Sequence, residues 1–117
     1  MELEIFRGRT NKINVYVSEN GAAYDLTGCS LYMTAKSEVT DADAAAIFQL
    51  GTAGGTIVVT SAINGQAQVV ISPTHTATLP YAKKILYFDL MLKTSQGEYW
   101  TIASGTFAVK PNITRAT

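Results

Sequence analysis

KILYFDLMLKT (Lys84–Thr94), SQGE (Ser95–Glu98) and YWTIASGTFAV (Tyr99–Val109) follow one another in the chain. Taken two residues at a time, the first segment lays Leu86, Phe88, Leu90 and Leu92 along one side. Ile85, Tyr87, Asp89 and Met91 fall on the other. Successive side chains of an extended strand point to opposite sides of a sheet, so the first set supplies an all-apolar face and the second a mixed, partly covered one. After the Ser95–Glu98 break, Trp100 and Ile102 alternate with Tyr99 and Thr101, which predicts a β-hairpin. Gly105 is the expected place for a bend or bulge before Thr106 to Val109 complete the strand. A hairpin with one apolar face needs a second layer against it, and the other residues must provide that layer.

The sequence has 117 residues, 47% hydrophobic and 15% charged, a globular composition read as one domain over residues 1–117. Such a chain can bury roughly 65% of its unfolded surface, enough for a core without cross-links. Nine basic side chains balance nine acidic ones, so no global field draws the protein to nucleic acid or to an anionic membrane. The single cysteine, Cys29, has no partner for an internal disulfide. It alternates in register with Leu31, Met33 and Ala35, which predicts a small core residue. The N-terminal MELEIFRGRTNK lacks the apolar run of a signal peptide, and no stretch has the length to span a bilayer. Synthesis in the cytoplasm as a soluble protein is therefore expected.

Elsewhere the signals are short and regular. Leu3 and Ile5 alternate with Glu2 and Glu4. Ile13, Val15 and Val17 alternate with Lys12, Asn14 and Tyr16. Ser18-Glu19-Asn20-Gly21 supplies a turn in which Asn and Gly can take positive φ. Thr40 or Asp41 can cap one helical turn over Asp43–Ala46. Ile47–Leu50 and the β-branched Thr56–Thr60 read as strands, and Asn64-Gly65 turns into a strand with Ala67, Val69 and Ile71 on one face. Ser72-Pro73 opens a helical turn that Pro80 ends, with Leu79 pointing inward. Seven to nine short strands with turns every eight to twelve residues predict an all-β fold: an antiparallel two-sheet sandwich, immunoglobulin-like in architecture, with one or two short helical turns. A small barrel is the alternative.

Candidate chemistry is sparse. His75 is the only histidine, so neither a His-based triad nor a multi-histidine metal site can form within one chain, and its polar neighbours predict a solvated surface residue. Asp41-x-Asp43 resembles part of a calcium loop but lacks the glycine and the later Glu, so capping is the better role. The glycine-rich 51–55 stretch lacks the Lys-Ser/Thr of a phosphate-binding loop. Asn112-Ile113-Thr114 fits a glycosylation acceptor only by chance without a secretory signal. Asp89, a carboxylate in the most apolar strand, is expected to pin the sheet register by accepting hydrogen bonds, since sequence names no second acid for catalysis. Tyr87, Tyr99 and Trp100 are the candidate platform for a sugar ring. No cofactor, metal, small-molecule substrate or enzymatic activity is expected.

The motifs share an order: Asp25-Leu26-Thr27-Gly28, Leu31-Tyr32-Met33, Asn64-Gly65 with Ala67-Gln68-Val69, Thr76-Ala77-Thr78-Leu79-Pro80, Tyr87-Phe88-Asp89-Leu90, and Gly105-Thr106-Phe107-Ala108-Val109. In this order they resemble small phage and prophage tail proteins, in particular the N-terminal domain of the baseplate upper protein of siphophages, over about Ile13 to Arg115. The resemblance implies an immunoglobulin-like sandwich that is a non-catalytic structural module of a virion tail or baseplate. Its partners would be other tail and baseplate proteins, and it would form homo-oligomers. Ending at Thr117, the chain would work alone as an accessory protein or pack against a separate partner. The residues themselves offer sheet faces and strand edges, with Leu3–Ile5 and Phe107–Val109 as the expected edges and Leu3, Ile5, Phe107 and Val109 as the candidate interface. The alternative function is a carbohydrate-binding adhesion module using surface tyrosines.

Overall fold

The computed structural model describes residues 2–42, 45–79 and 82–111. Among these residues ten strands and one helical turn follow in order: β1 (Glu2–Phe6), β2 (Asn11–Tyr16), β3 (Ser18–Glu19), β4 (Ala22–Ala23), β5 (Ser30–Lys36), β6 (Phe48–Gly51), β7 (Ile57–Ser61), β8 (Gln66–Ile71), α1 (Pro73–Thr76), β9 (Lys84–Lys93) and β10 (Tyr99–Lys110). They form a five-stranded sheet ordered β1-β10-β9-β5-β6, a three-stranded sheet ordered β2-β8-β7, and a β3-β4 ribbon. The fold is a β-sandwich, as predicted.

The predicted hairpin is the centre of the larger sheet. Leu86, Phe88, Leu90 and Leu92 are buried, while Ile85, Tyr87 and Asp89 are exposed. The turn closes because Thr94 N donates to Glu98 O (2.8 Å) and Gly97, at φ 88°, takes a conformation that glycine adopts without penalty. In the same way Asn20 (φ 53°) and Gly21 (φ 80°) close the β3–β4 ribbon as a two-residue turn.

Two sequence expectations need correction. The bulge lies between Thr101 and Ala103, while Gly105 stays in register opposite Phe88. Trp100 and Phe107 sit at positions of opposite parity, so strict alternation would expose one of them. One extra residue, Ile102, resets the period so that both face the core. Second, Phe107–Val109 is not an edge. β10 is flanked by β9 on one side and by β1 on the other, and β1 pairs with it in parallel, Leu3 beside Phe107 and Ile5 beside Val109. The other ladders of both main sheets are antiparallel. The larger sheet therefore ends at β1 and β6.

The core lies between Leu31, Met33, Ala35, Leu86, Leu90 and Phe107 of the larger sheet and Ile57, Ala67, Val69 and Ile71 of the smaller. Phe88 stacks on Phe107 at 4.4 Å, and Phe48 meets Phe107 at 6.1 Å. α1 closes one end. Arg7 Nε donates to Leu79 O (2.7 Å), Gly8 N donates to the hydroxyl of the buried Thr76 (3.0 Å), and Leu79 is buried as predicted.

The helical turn expected over Asp43–Ala46, capped by Thr40 or Asp41, falls partly outside the described residues. Asp41 Oδ2 accepts from Glu38 N at 3.1 Å, closing a turn behind it, and Asp43 and Ala44 lie outside the described residues. Pro80 and the Asn112-Ile113-Thr114 match lie outside them as well.

Candidate functional site

Two surface depressions stand out. The first, of about 450 Å³, lies on the outer face of the larger sheet, over the strands β5, β9 and β10. The register aligns three rows across it: Tyr32–Met91–Thr101, Thr34–Asp89–Ser104 and Lys36–Tyr87–Thr106. Residues two apart on a strand share a face about 6.6–7 Å apart, so Asp89 sits in the middle row with one tyrosine row on each side. Val39, 70% exposed on the loop after β5, forms an apolar wall of the same depression.

The second depression, of about 470 Å³, opens between the sheets and is lined by Leu3, Ile13, Val15, Leu90, Ile102 and Ala103, among others. It is apolar because β2 is an edge of the smaller sheet and the bulge of β10 turns both Ile102 and Ala103 toward it. The β1 edge of the larger sheet runs beside this trough, its Phe6 end capped by the Asn11 side chain, which accepts from Phe6 N (3.1 Å) and donates to Phe6 O (3.0 Å).

The predicted sugar platform does not assemble. Trp100 is half-buried and turns inward, its ring edge-on to Tyr24 at 5.6 Å. Tyr99 is 60% exposed and lies under Lys93 Nζ, 5.6 Å from its ring centroid. Three pairing rows separate it from Tyr87, about 20 Å along the sheet. Tyr87 instead shares its depression with Tyr32. Asp89 does not pin the register: its side chain is exposed and makes no hydrogen bond or ion pair among the described residues. Of the four candidate interface residues, Ile5, Phe107 and Val109 are buried within the chain, and Leu3 is half-buried beside the trough.

The remaining polar candidates have local roles. His75 is half-buried, not solvated: Ser72 N donates to its Nδ1 (2.9 Å) at the start of α1, and its ring lies 5.9 Å from that of Phe48. Asp25 Oδ1 accepts from Thr27 N (2.9 Å) and Thr27 Oγ1 (2.6 Å), and these bonds hold its carboxyl below the usual carboxylate range. The Asp25–Gly28 motif is thus a side-chain-closed turn, fixed by Leu26 N donating to Ala62 O at 2.8 Å. Partial burial, reinforced by nearby Cys29 and by acidic neighbours, pushes the Tyr24 phenol up. Cys29 precedes β5 and is half-buried against the core. Among the described residues, no three His, Cys, Asp or Glu side chains stand close enough to hold a metal, and no helix is long and apolar enough to cross a membrane.

Sequence reasoning missed Tyr32, Thr34 and Ser104 as neighbours of Asp89. The alternation of Ser30, Tyr32, Thr34 and Lys36 signals an outer face, but the register that brings it beside β9 is a property of the folded sheet.

No family model matches the chain, and no curated protein matches it significantly. Among solved structures, the N-terminal domain of phage TP901-1 ORF48 is similar at a TM-score of 0.50 and 17% identity, over 92% of this chain and 83% of that one. At that identity the likeness is one of fold. Murine CRIg aligns at a TM-score of 0.42 and 11% identity, over 93% of this chain and 90% of that one. The resemblance to a phage domain thus has a structural counterpart that spans nearly the whole chain.

Proposed function

We propose that this chain is a non-catalytic structural protein of a phage or prophage tail, seated at the baseplate and acting through protein–protein contacts. The observation that carries this reading is the correspondence of fold with a phage domain over 92% of the chain. The motif order that resembles siphophage baseplate upper proteins supports it independently. The site chemistry is in keeping: the one histidine orders a helical turn, and the one cysteine packs beside the core.

The contact surface under this reading is the β1 edge with the neighbouring trough. Leu3 remains available there, whereas Ile5, Phe107 and Val109 act from inside by holding β1 in place. A partner strand could continue the ladder at β1 and set apolar side chains on Ile13 and Val15. Cyclic homo-oligomers are the expected assembly, because tail parts repeat around an axis. The virion tail is then where the protein resides.

Mass spectrometry of purified virions from the source, with immunogold labelling by antibodies against this chain, tests the reading. Peptides of the chain and label at the tail tip are expected. Virions free of the protein, from a culture that expresses it, would remove the proposal.

A further inference from the structure

We propose that the outer depression over β5, β9 and β10 binds a neutral pyranose. This inference does not depend on the tail assignment.

β9 is the central strand of the five-stranded sheet, and Asp89 stands near its middle with its carboxylate exposed and without a protein partner among the described residues. Aspartate is disfavoured in strands, and no hydrogen bond or ion pair within the described residues offsets that here. Around it the register places two hydroxyls, Thr34 on β5 and Ser104 on β10, in the same row. Tyr32 and Tyr87 flank that row diagonally, and Met91 and Val39 complete the apolar part of the wall.

A pyranose carries the matching pattern. Its axial C–H groups form an apolar face that packs on an aromatic ring, and vicinal hydroxyls donate in pairs to one carboxylate. The depression, at about 450 Å³, falls within the usual range for small-ligand sites. Among its lining residues Lys36 and Asp89 are the two charged side chains, one of each sign. Tyr87, 41% exposed, is the stacking ring that the site shares with the sequence prediction; Tyr99 and Trp100 are outside it.

The test uses methyl glycosides of glucose, galactose, rhamnose and N-acetylglucosamine, titrated separately into the full chain and followed by two-dimensional amide NMR. At least one glycoside should shift amides within 32–36, 87–91 and 101–105 and leave those of β7 and β8 unmoved. Tyr87→Ala and Asp89→Asn change exposed side chains, so both should keep the wild-type spectrum yet bind at least about tenfold more weakly. Tyr99→Ala should bind like wild type. The proposal fails if no glycoside moves these amides, or if Tyr87→Ala and Asp89→Asn bind as well as wild type. It fails equally if diluting the ligand-free protein produces the same shifts, since a second copy of the chain would then be the occupant.

Discussion

Gly65 shows how little room some positions leave. It follows Asn64 in the turn before β8 at φ 66°, and a Cβ there would run into the carbonyl oxygen of Val17 and come within 2.8 Å of that of Tyr24. Both obstacles are backbone, and the segments are tied together by Tyr24 N donating to Val17 O (2.9 Å) and Val17 N donating to Gly65 O (2.8 Å), so they cannot easily step aside. Gly21 has similar backbone geometry, φ 80°, but open space where its Cβ would be. Gly65→Ala should therefore lose more than about 2 kcal/mol, and Gly21→Ala only about 1 kcal/mol. Urea unfolding of the two variants decides it. Equal losses would mean that conformational strain alone, and not the close approach, governs Gly65. The turn itself was legible in Asn64-Gly65; the crowding was not, because the residues that cause it, Val17 and Tyr24, are about forty to fifty positions away in sequence.

At the level of elements, most strands could be read from alternation because each has one buried face. Leu31, Met33 and Ala35, or Ala67, Val69 and Ile71, are buried as the period of two requires. Alternation failed in β10, where the inward set passes from Trp100 to Phe107 across a change of parity. A period carries no mark of where an inserted residue is absorbed, and Gly105 was a plausible but wrong place for it. This makes deletions informative. Removing Ile102 should leave a regular ladder with Trp100 and Phe107 still inside, at a loss of about 1–2 kcal/mol for one half-buried side chain. Removing Asp89 from β9, which has no extra residue against β5, should throw half the strand's apolar set outward and abolish cooperative unfolding. Circular dichroism with urea titration separates the two. A ΔIle102 protein that does not fold would show that the bulge is needed for more than register. The candidate site was half legible for the same reason: Tyr87 and Asp89 share a strand, whereas Tyr32, Thr34 and Ser104 join them only through pairing.

For the molecule as a whole, the parallel seat of β1 beside β10 has a consequence in time. Glu2 pairs with Thr106, so β1 leaves the ribosome well before the strand it docks against and must wait for it. Closing so long a loop is slow and comes after the local hairpins have formed. Pulse-labelled hydrogen exchange during refolding should show the amides of Glu2–Phe6 gaining protection after those of β9, and simultaneous protection would contradict this. During that interval the nascent chain carries an undocked ELEIF segment and a vacant rail along β10. Two such chains emerging side by side could trade these segments, and a mutually strapped pair would result without any new contact being invented.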